Sequence, residues 1–369
     1  MGVDQDRVDT APLRKKNIIS VFSQHLIGGG SGSGVEILKS ALQKDNKRII
    51  IGSLDIDGIV SAMMISSITG WKIGAIIDGE KLHVNPLFGS MSKLIKEPSK
   101  LFGVDVYSPL YQNISNHPIL FGASGRSSQS ALDQELQRFD DKILSSTVAN
   151  GTLNPSIWAG IGMRLKTRSP RGLPYKYPLG TAQLLLALLE AAGLGPRFFD
   201  RQYLPWIVAH CDGGLKTIRE YHWNAEMWWS SMAAAVGPSS QSEALYKLAM
   251  TQRPTETIDV DRRLRYDYVE HSKSLKTDWN LVDSSPETVS AVTSLLMDLS
   301  GWDDPFEGGA ENFAGWSTTS PKKETLKISG ITNIPLQNVK TALSGVMCSV
   351  HASGFIYDNA PKIGWMMPT

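Results

Sequence analysis

The sequence predicts an α/β fold: a mostly parallel sheet flanked by helices, then a helical connector, then a smaller C-terminal α+β domain. Three observations carry this. Between Arg48 and about Tyr221, short apolar runs alternate with apolar residues at helical spacing, the pattern of parallel strands joined by crossover helices. Residues 222–300 keep the helical spacing, and residues 317–369, after a Gly/Trp-rich turn region at 301–316, return to short β-like runs around one helical stretch. The expected division is therefore 1–45 as extension and linker, 46–225 as the α/β domain, 226–300 as connector and 301–369 as the small domain.

Taken in order, "GGGSGSG" (Gly28 to Gly34) reads as a flexible connector. It lacks the Lys-Ser/Thr ending of a phosphate-binding loop. "VEILKSALQK" follows with helical spacing. "RIIIGS", "KIGAIID", "FGVDVYS" and "PILFG" read as strands; "GIVSAMMISSI", "GSMSKLI" and "GTAQLLLALLEAAG" read as helices, the last closed by Gly193. Farther on, "NAEMWWSSMAAAV", "SEALYKLAM", "PETVSAVTSLLMDLSG" and "PLQNVKTALSGVM" read as helices. In such a layer, functional residues collect at the carboxyl ends of the strands.

"GSLDIDGIVSA" places Asp55 and Asp57 at such an end. Two residues apart, they share a face in extended backbone, and an acid there is costly unless hydrogen-bonded, paired or metal-bound. Three readings stand: a helix cap, a calcium loop, or a phosphoryl-transfer or metal site. The calcium loop fits worst, because its bidentate acid would fall on Ser66.

"DIDGIVSA" resembles the first motif of the DHH phosphoesterase superfamily (RecJ-like exonucleases and small-oligonucleotide phosphodiesterases among them). Further stretches are similar in the same order. "LFGVDVYS" resembles the second motif, with Asp105. "NISNHPILFG" resembles the Asp-His-His segment, with His117 kept and Asn116 in place of aspartate. "YPLGTAQLLLALLEAAG" followed by "QYLPWIVAHCDGG" resembles the fourth-motif region, with Asp212. "SVHASGF" weakly resembles the Gly-Gly-His-x-x-Ala-Gly stretch of the accessory domain, with His351. The likeness covers roughly residues 48–220.

The resemblance implies Mn²⁺ or Mg²⁺, one or two ions, held by Asp55, Asp57, Asp105, His117 and Asp212. These same residues would form the catalytic set. Hard divalent cations favour such donors, and two of them clamp a phosphate and activate water. The implied activity is hydrolysis of a phosphodiester in a nucleotide, a short oligonucleotide or single-stranded nucleic acid. Two departures are visible. Ile51 and Ser53 stand where the family carries a histidine before the first aspartate. The "SNHP" register also allows Ser115 to replace the aspartate, with Asn116 and His117 replacing the histidines. An inactive binding or assembly protein on the same fold is thus an alternative. A haloacid-dehalogenase-type phosphatase with Asp55 as nucleophile is another; there Ile59 replaces the motif's threonine and Asp303-Asp304 would be the later acidic pair.

"RLKTRSPRGLPYK" offers Arg164, Lys166, Arg168 and Arg171 as substrate-phosphate ligands, against the plainer reading of a solvated loop. His210 is a further acid/base candidate or a packed histidine, and Trp223, Trp228 and Trp229 either stack nucleobases or fill the core. With 37 Lys+Arg against 36 Asp+Glu, a bulk basic field for duplex binding is absent. Cys211 and Cys348 make no zinc or disulfide pattern. No apolar run reaches membrane-spanning length and no apolar segment follows the N-terminal charges, so a cytoplasmic protein without membrane attachment is expected. The reading leaves room for a homo-oligomer.

Overall fold

The computed structural model describes residues 21–28, 30–43, 47–78, 81–116, 131–155, 179–195, 211, 215–251, 285–320, 322–327, 347–352 and 361–367. Its centre is a six-stranded sheet built from β1 (Ile49–Ser53), β2 (Lys72–Ile77), β3 (Leu82–Val84), β4 (Leu101–Val104), β5 (Asn113–Ile114) and β6 (Ser317–Thr319), in the order β5-β4-β1-β2-β3-β6. β1 pairs in parallel with β2 and β4, and β4 with β5; β3 pairs antiparallel with β2 and with β6. The sheet is therefore mixed. In its parallel half, β1, β2 and β4 are strands that the apolar runs predicted, whereas β5 at Asn113–Ile114 is not. The antiparallel half comes from two three-residue strands, too short for alternation to register. Ser317–Thr319, assigned by sequence to the C-terminal part, hydrogen-bonds into this main sheet. β7 (Lys322–Lys327), β8 (Met347–Ala352) and β9 (Pro361–Met367) form a separate antiparallel sheet in the order β7-β9-β8.

The α-helices are α1 (Gly34–Ala41), α2 (Ile56–Thr69), α3 (Met91–Leu94), α4 (Ala131–Asn150), α5 (Thr181–Ala191), α6 (Leu215–Val236), α7 (Gln241–Thr251) and α8 (Pro286–Ser300). α2 is buried continuously from Ile56 to Ser66 and α5 from Thr181 to Leu189. Such helices, apolar all round, belong in the interior of a layered core. α2 packs on β1, β4 and α5, and α5 in turn packs on α1, α6 and α7. Ile50, Ile73, Ile76, Phe102 and Val104 face this helical side. Ile51, Ala75, Ile77 and Leu101 face the other, together with Leu94 of α3 and Met366 of β9. Ile73 and Ile76 share a face, although three residues apart, because the register with β1 shifts between Ile50 and Ile51, so that Gly74 is the extra residue of a bulge.

Trp228 and Trp229 are fully buried in the helical core, Trp228 edge-on to Phe22 with centroids 5.8 Å apart. Nucleobase stacking on these two is excluded; the packing reading holds. Among the described residues no helix is long and apolar enough to cross a membrane. The predicted strand "PILFG" and most of the predicted helix "PLQNVKTALSGVM" lie outside the described residues.

α2 starts immediately beyond β1, and Gly58 sits in its first turn against the strand end. A Cβ on Gly58 would overlap Ser53 Oγ and Ser53 O. Gly→Ala inside a helix ordinarily stabilises by about 1 kcal/mol. Here the overlap with backbone outweighs propensity, and Gly58→Ala is expected to destabilise by about 1–3 kcal/mol. Denaturant unfolding checks the sign.

Candidate functional site

β1 and β4 are adjacent and parallel, so their carboxyl ends deliver Asp55, Asp57 and Asp105 to one edge of the sheet. Asp55 is the N-cap of α2: its backbone is extended, at φ −147° and ψ 178°, and its Oδ1 accepts the Gly58 N–H at 2.8 Å. This is the ordinary use of aspartate at a helix start. Oδ1 also lies 3.0 Å from Ser53 Oγ, whereas Oδ2 makes no hydrogen bond among the described residues and Asp55 is half-buried.

Asp57 is 1% exposed. Its Oδ2 accepts the Thr181 N–H and its Oδ1 the Ala182 N–H, both at 2.7 Å. These are the first two residues of α5, whose opening N–H groups have no intrahelical acceptor. The carboxylate thus satisfies two donors and sits at the positive end of the α5 dipole. Gln183 supports the same turn by accepting the Gly180 N–H through its side chain.

Asp105 follows β4 directly, with φ 58°, a left-handed conformation that aspartate tolerates better than most residues. Its N–H donates to Ile114 O at 2.9 Å, which fixes the turn, and its side chain points inward at 3% exposure. Thr181 Oγ1 donates to Asp105 Oδ1 at 2.6 Å, and Ser53 Oγ lies 2.5 Å from Asp105 Oδ2. Asn116, two residues beyond β5, closes the group. Its N–H donates to Thr181 Oγ1 at 3.2 Å and its Nδ2 donates to Leu179 O at 2.8 Å.

Ser53 has one hydroxyl hydrogen and two carboxylate neighbours. The hydroxyl is within donating reach of both Asp105 Oδ2 and Asp55 Oδ1 and can serve only one of them at a time. Burial pushes the Asp105 carboxyl well above the usual carboxylate range, and the charges of Asp57 and then Asp55 push it further. Hydrogen bonds from Ser53 and Thr181 act in the opposite direction.

Of the sequence-derived site residues, Asp55, Asp57 and Asp105 are brought together. His117 and Asp212 lie outside the described residues, as do Arg164, Lys166, Arg168, Arg171 and His210. The His351 backbone is in β8 opposite Lys362 of β9. Among the described residues no group of three or more His, Cys, Asp or Glu is arranged to hold a metal ion. Asp304 accepts the Phe306 and Ala310 N–H groups, each at 2.8 Å, as a turn-closing residue. Thr181 is the residue that sequence reading missed. Its local sign was a Gly-Thr-Ala-Gln helix start, but nothing local tied that start to an aspartate 124 positions earlier.

Fold and site together define an α/β protein with a buried acidic cluster at the carboxyl edge of its parallel strands. Comparison with protein-family models, curated proteins and solved structures gives no match.

A raised Asp105 value makes the native state bind its proton more tightly than the unfolded chain, whose aspartates titrate near about 3.9. The associated stability is present below that pH and lost as pH rises through the folded value. Asparagine also tolerates the left-handed backbone. In metal-free protein, Asp105→Asn should therefore gain stability relative to wild type as pH rises above about 4. Denaturant midpoints across a pH series check this; a difference independent of pH contradicts it.

Proposed function

We propose that the chain is a divergent, DHH-like metal-dependent phosphoesterase. It hydrolyses a phosphodiester of a nucleotide, a short oligonucleotide or single-stranded nucleic acid. The observation that carries this reading is the convergence of Asp55, Asp57 and Asp105 at adjacent strand ends, close enough for Asp105 to be pushed up by both of the others. Three crowded carboxylates favour a proton or a cation in their midst.

The donor set is of the kind Mn²⁺ and Mg²⁺ favour, hard carboxylate oxygens, with Asp55 Oδ2 making no hydrogen bond among the described residues. Asp55, Asp57 and Asp105 would hold the ion, with His117 and Asp212 as the further ligands the family resemblance implies. When bound, the ion supplies charge for the phosphate and acidifies water. The chain's own part is positional. α5 holds Asp57, Thr181 and Ser53 hold Asp105, and Asp55 is half-buried at the start of α2. Arg164, Lys166, Arg168 and Arg171 would bind substrate phosphates, and His351 would assist. The near-zero net charge favours a small or local substrate, and the two-cysteine content supports a cytoplasmic setting.

A second reading rests on the Asp57 bonds. A carboxylate accepting two helix N–H groups has a sufficient structural purpose, which favours a non-catalytic binding or assembly protein on the same fold. The readings part on Mn²⁺. The phosphoesterase hydrolyses a bis-nitrophenyl phosphate and a short single-stranded oligonucleotide faster with Mn²⁺ than with EDTA. Asp55→Asn, which keeps a cap oxygen, then lowers the rate by at least about 100-fold. Folded wild type with no metal response on either substrate sinks the enzyme reading.

A further inference from the structure

We propose that Thr318, His83 and Asp78 form a nucleophilic relay that takes the acyl group of a neutral, activated carboxylic ester. None of the three belongs to the acidic cluster, and no cation enters. Asp78 directly follows β2, and His83 of β3 and Thr318 of β6 are cross-strand partners. The Lys81 N–H donates to Asp78 Oδ1 at 2.5 Å, and Asp78 Oδ2 lies 3.1 Å from His83 Nε2. A carboxylate only accepts, so Nε2 carries the ring hydrogen and the neutral ring presents Nδ1 as a base. Nδ1 lies 3.1 Å from Thr318 Oγ1. Nucleophile, base and orienting acid each stand within hydrogen-bond reach of the next, the arrangement that activates a hydroxyl.

Burial is divided as this chemistry needs. His83 is 5% exposed, with the Phe313 ring 5.0 Å away between centroids, whereas Thr318 is exposed on β6, the last strand of the sheet. The base is shielded and the nucleophile is open. Cross-strand pairing accounts for the contact with Thr318, but not for a third group fixing the tautomer through the other ring nitrogen. The charge that the relay brings is negative, on Asp78, which favours a neutral electrophile over an anionic phosphate ester. Thr318 Oγ1 bonds to the ester carbonyl carbon as its hydrogen passes to Nδ1. The ester C–O bond then breaks, and His83 hands the proton to the departing oxygen. Water attacks the acyl-threonine through the same base, and Oγ1 leaves with the proton from Nδ1.

The test treats the full chain with p-nitrophenyl acetate in EDTA, quenches in acid and locates acetyl groups by tandem mass spectrometry, with melting curves alongside. Thr319 is the internal control, the next residue of β6, also exposed and opposite Leu82 instead of a histidine. Thr318 should carry the acetyl group in at least about 100-fold excess over Thr319. His83→Gln removes the base and should bring the two threonines close to parity. Asp78→Asn keeps an oxygen for the Lys81 N–H, loses the carboxylate, and should lower the excess by at least about 10-fold. If His83→Gln does not fold, Asp78→Asn decides alone. Wild type with no acetyl group on Thr318, or with as much on Thr319, overturns the inference. An excess that is unchanged in either folded variant overturns it too. These outcomes leave the phosphoesterase reading untouched, since EDTA removes any cation.

Discussion

The bond between the Asp57 carboxylate and the first two N–H groups of α5 organises this molecule. It joins the first turns of two buried helices, between residues 124 positions apart in sequence. A buried carboxylate is expensive in isolation. Two charge-assisted bonds and the helix dipole offset that expense in one geometry. Once α5 is anchored there, Thr181 arrives beside Asp105 and Leu179 beside Asn116, so β4 and β5 are tied to the same point. The helical layer and the carboxyl edge of the sheet are located by one interaction.

That placement crowds negative charge. Asp55 and Asp57 arrive through the chain turn from β1 into α2, and Asp105 arrives by a left-handed turn at the end of β4. Each turn is locally reasonable, since aspartate caps helices and tolerates positive φ. Their sum is a site where burial and then the like charges push the Asp105 carboxyl well above the usual carboxylate range. The close approach at Gly58 and the bulge at Gly74 belong to the same economy of space: the backbone yields where side chains cannot.

The legible part of this was the periodic part. β1, β2, β4, α2, α5 and α8 announced themselves by apolar spacing, and Asp55 as a cap followed from its place before Gly58. β3 and β6 were not legible, because three residues give no period and their pairing is decided by tertiary contact, as in Thr318 opposite His83. The tryptophans were ambiguous in sequence, since a helical stripe of aromatics fits core and ligand platform alike; burial decides for Trp228 and Trp229. Asp57 was legible as an acid with a purpose, but its partner was not. A helix N-terminus far along the chain leaves no mark on the residues around the acid it will meet.

Asp105 is where the purely structural account is weakest. Asp55 caps α2 and Asp57 caps α5, so each carboxylate answers a backbone need. The bonds described for the Asp105 carboxyl go instead to the hydroxyls of Ser53 and Thr181, which also serve Asp55 and the Asn116 N–H. The Asp105 backbone conformation asks for a residue tolerant of positive φ, which asparagine or glycine would also meet. The cation proposed above would give a carboxyl there, beside two others and at a strand end, a use.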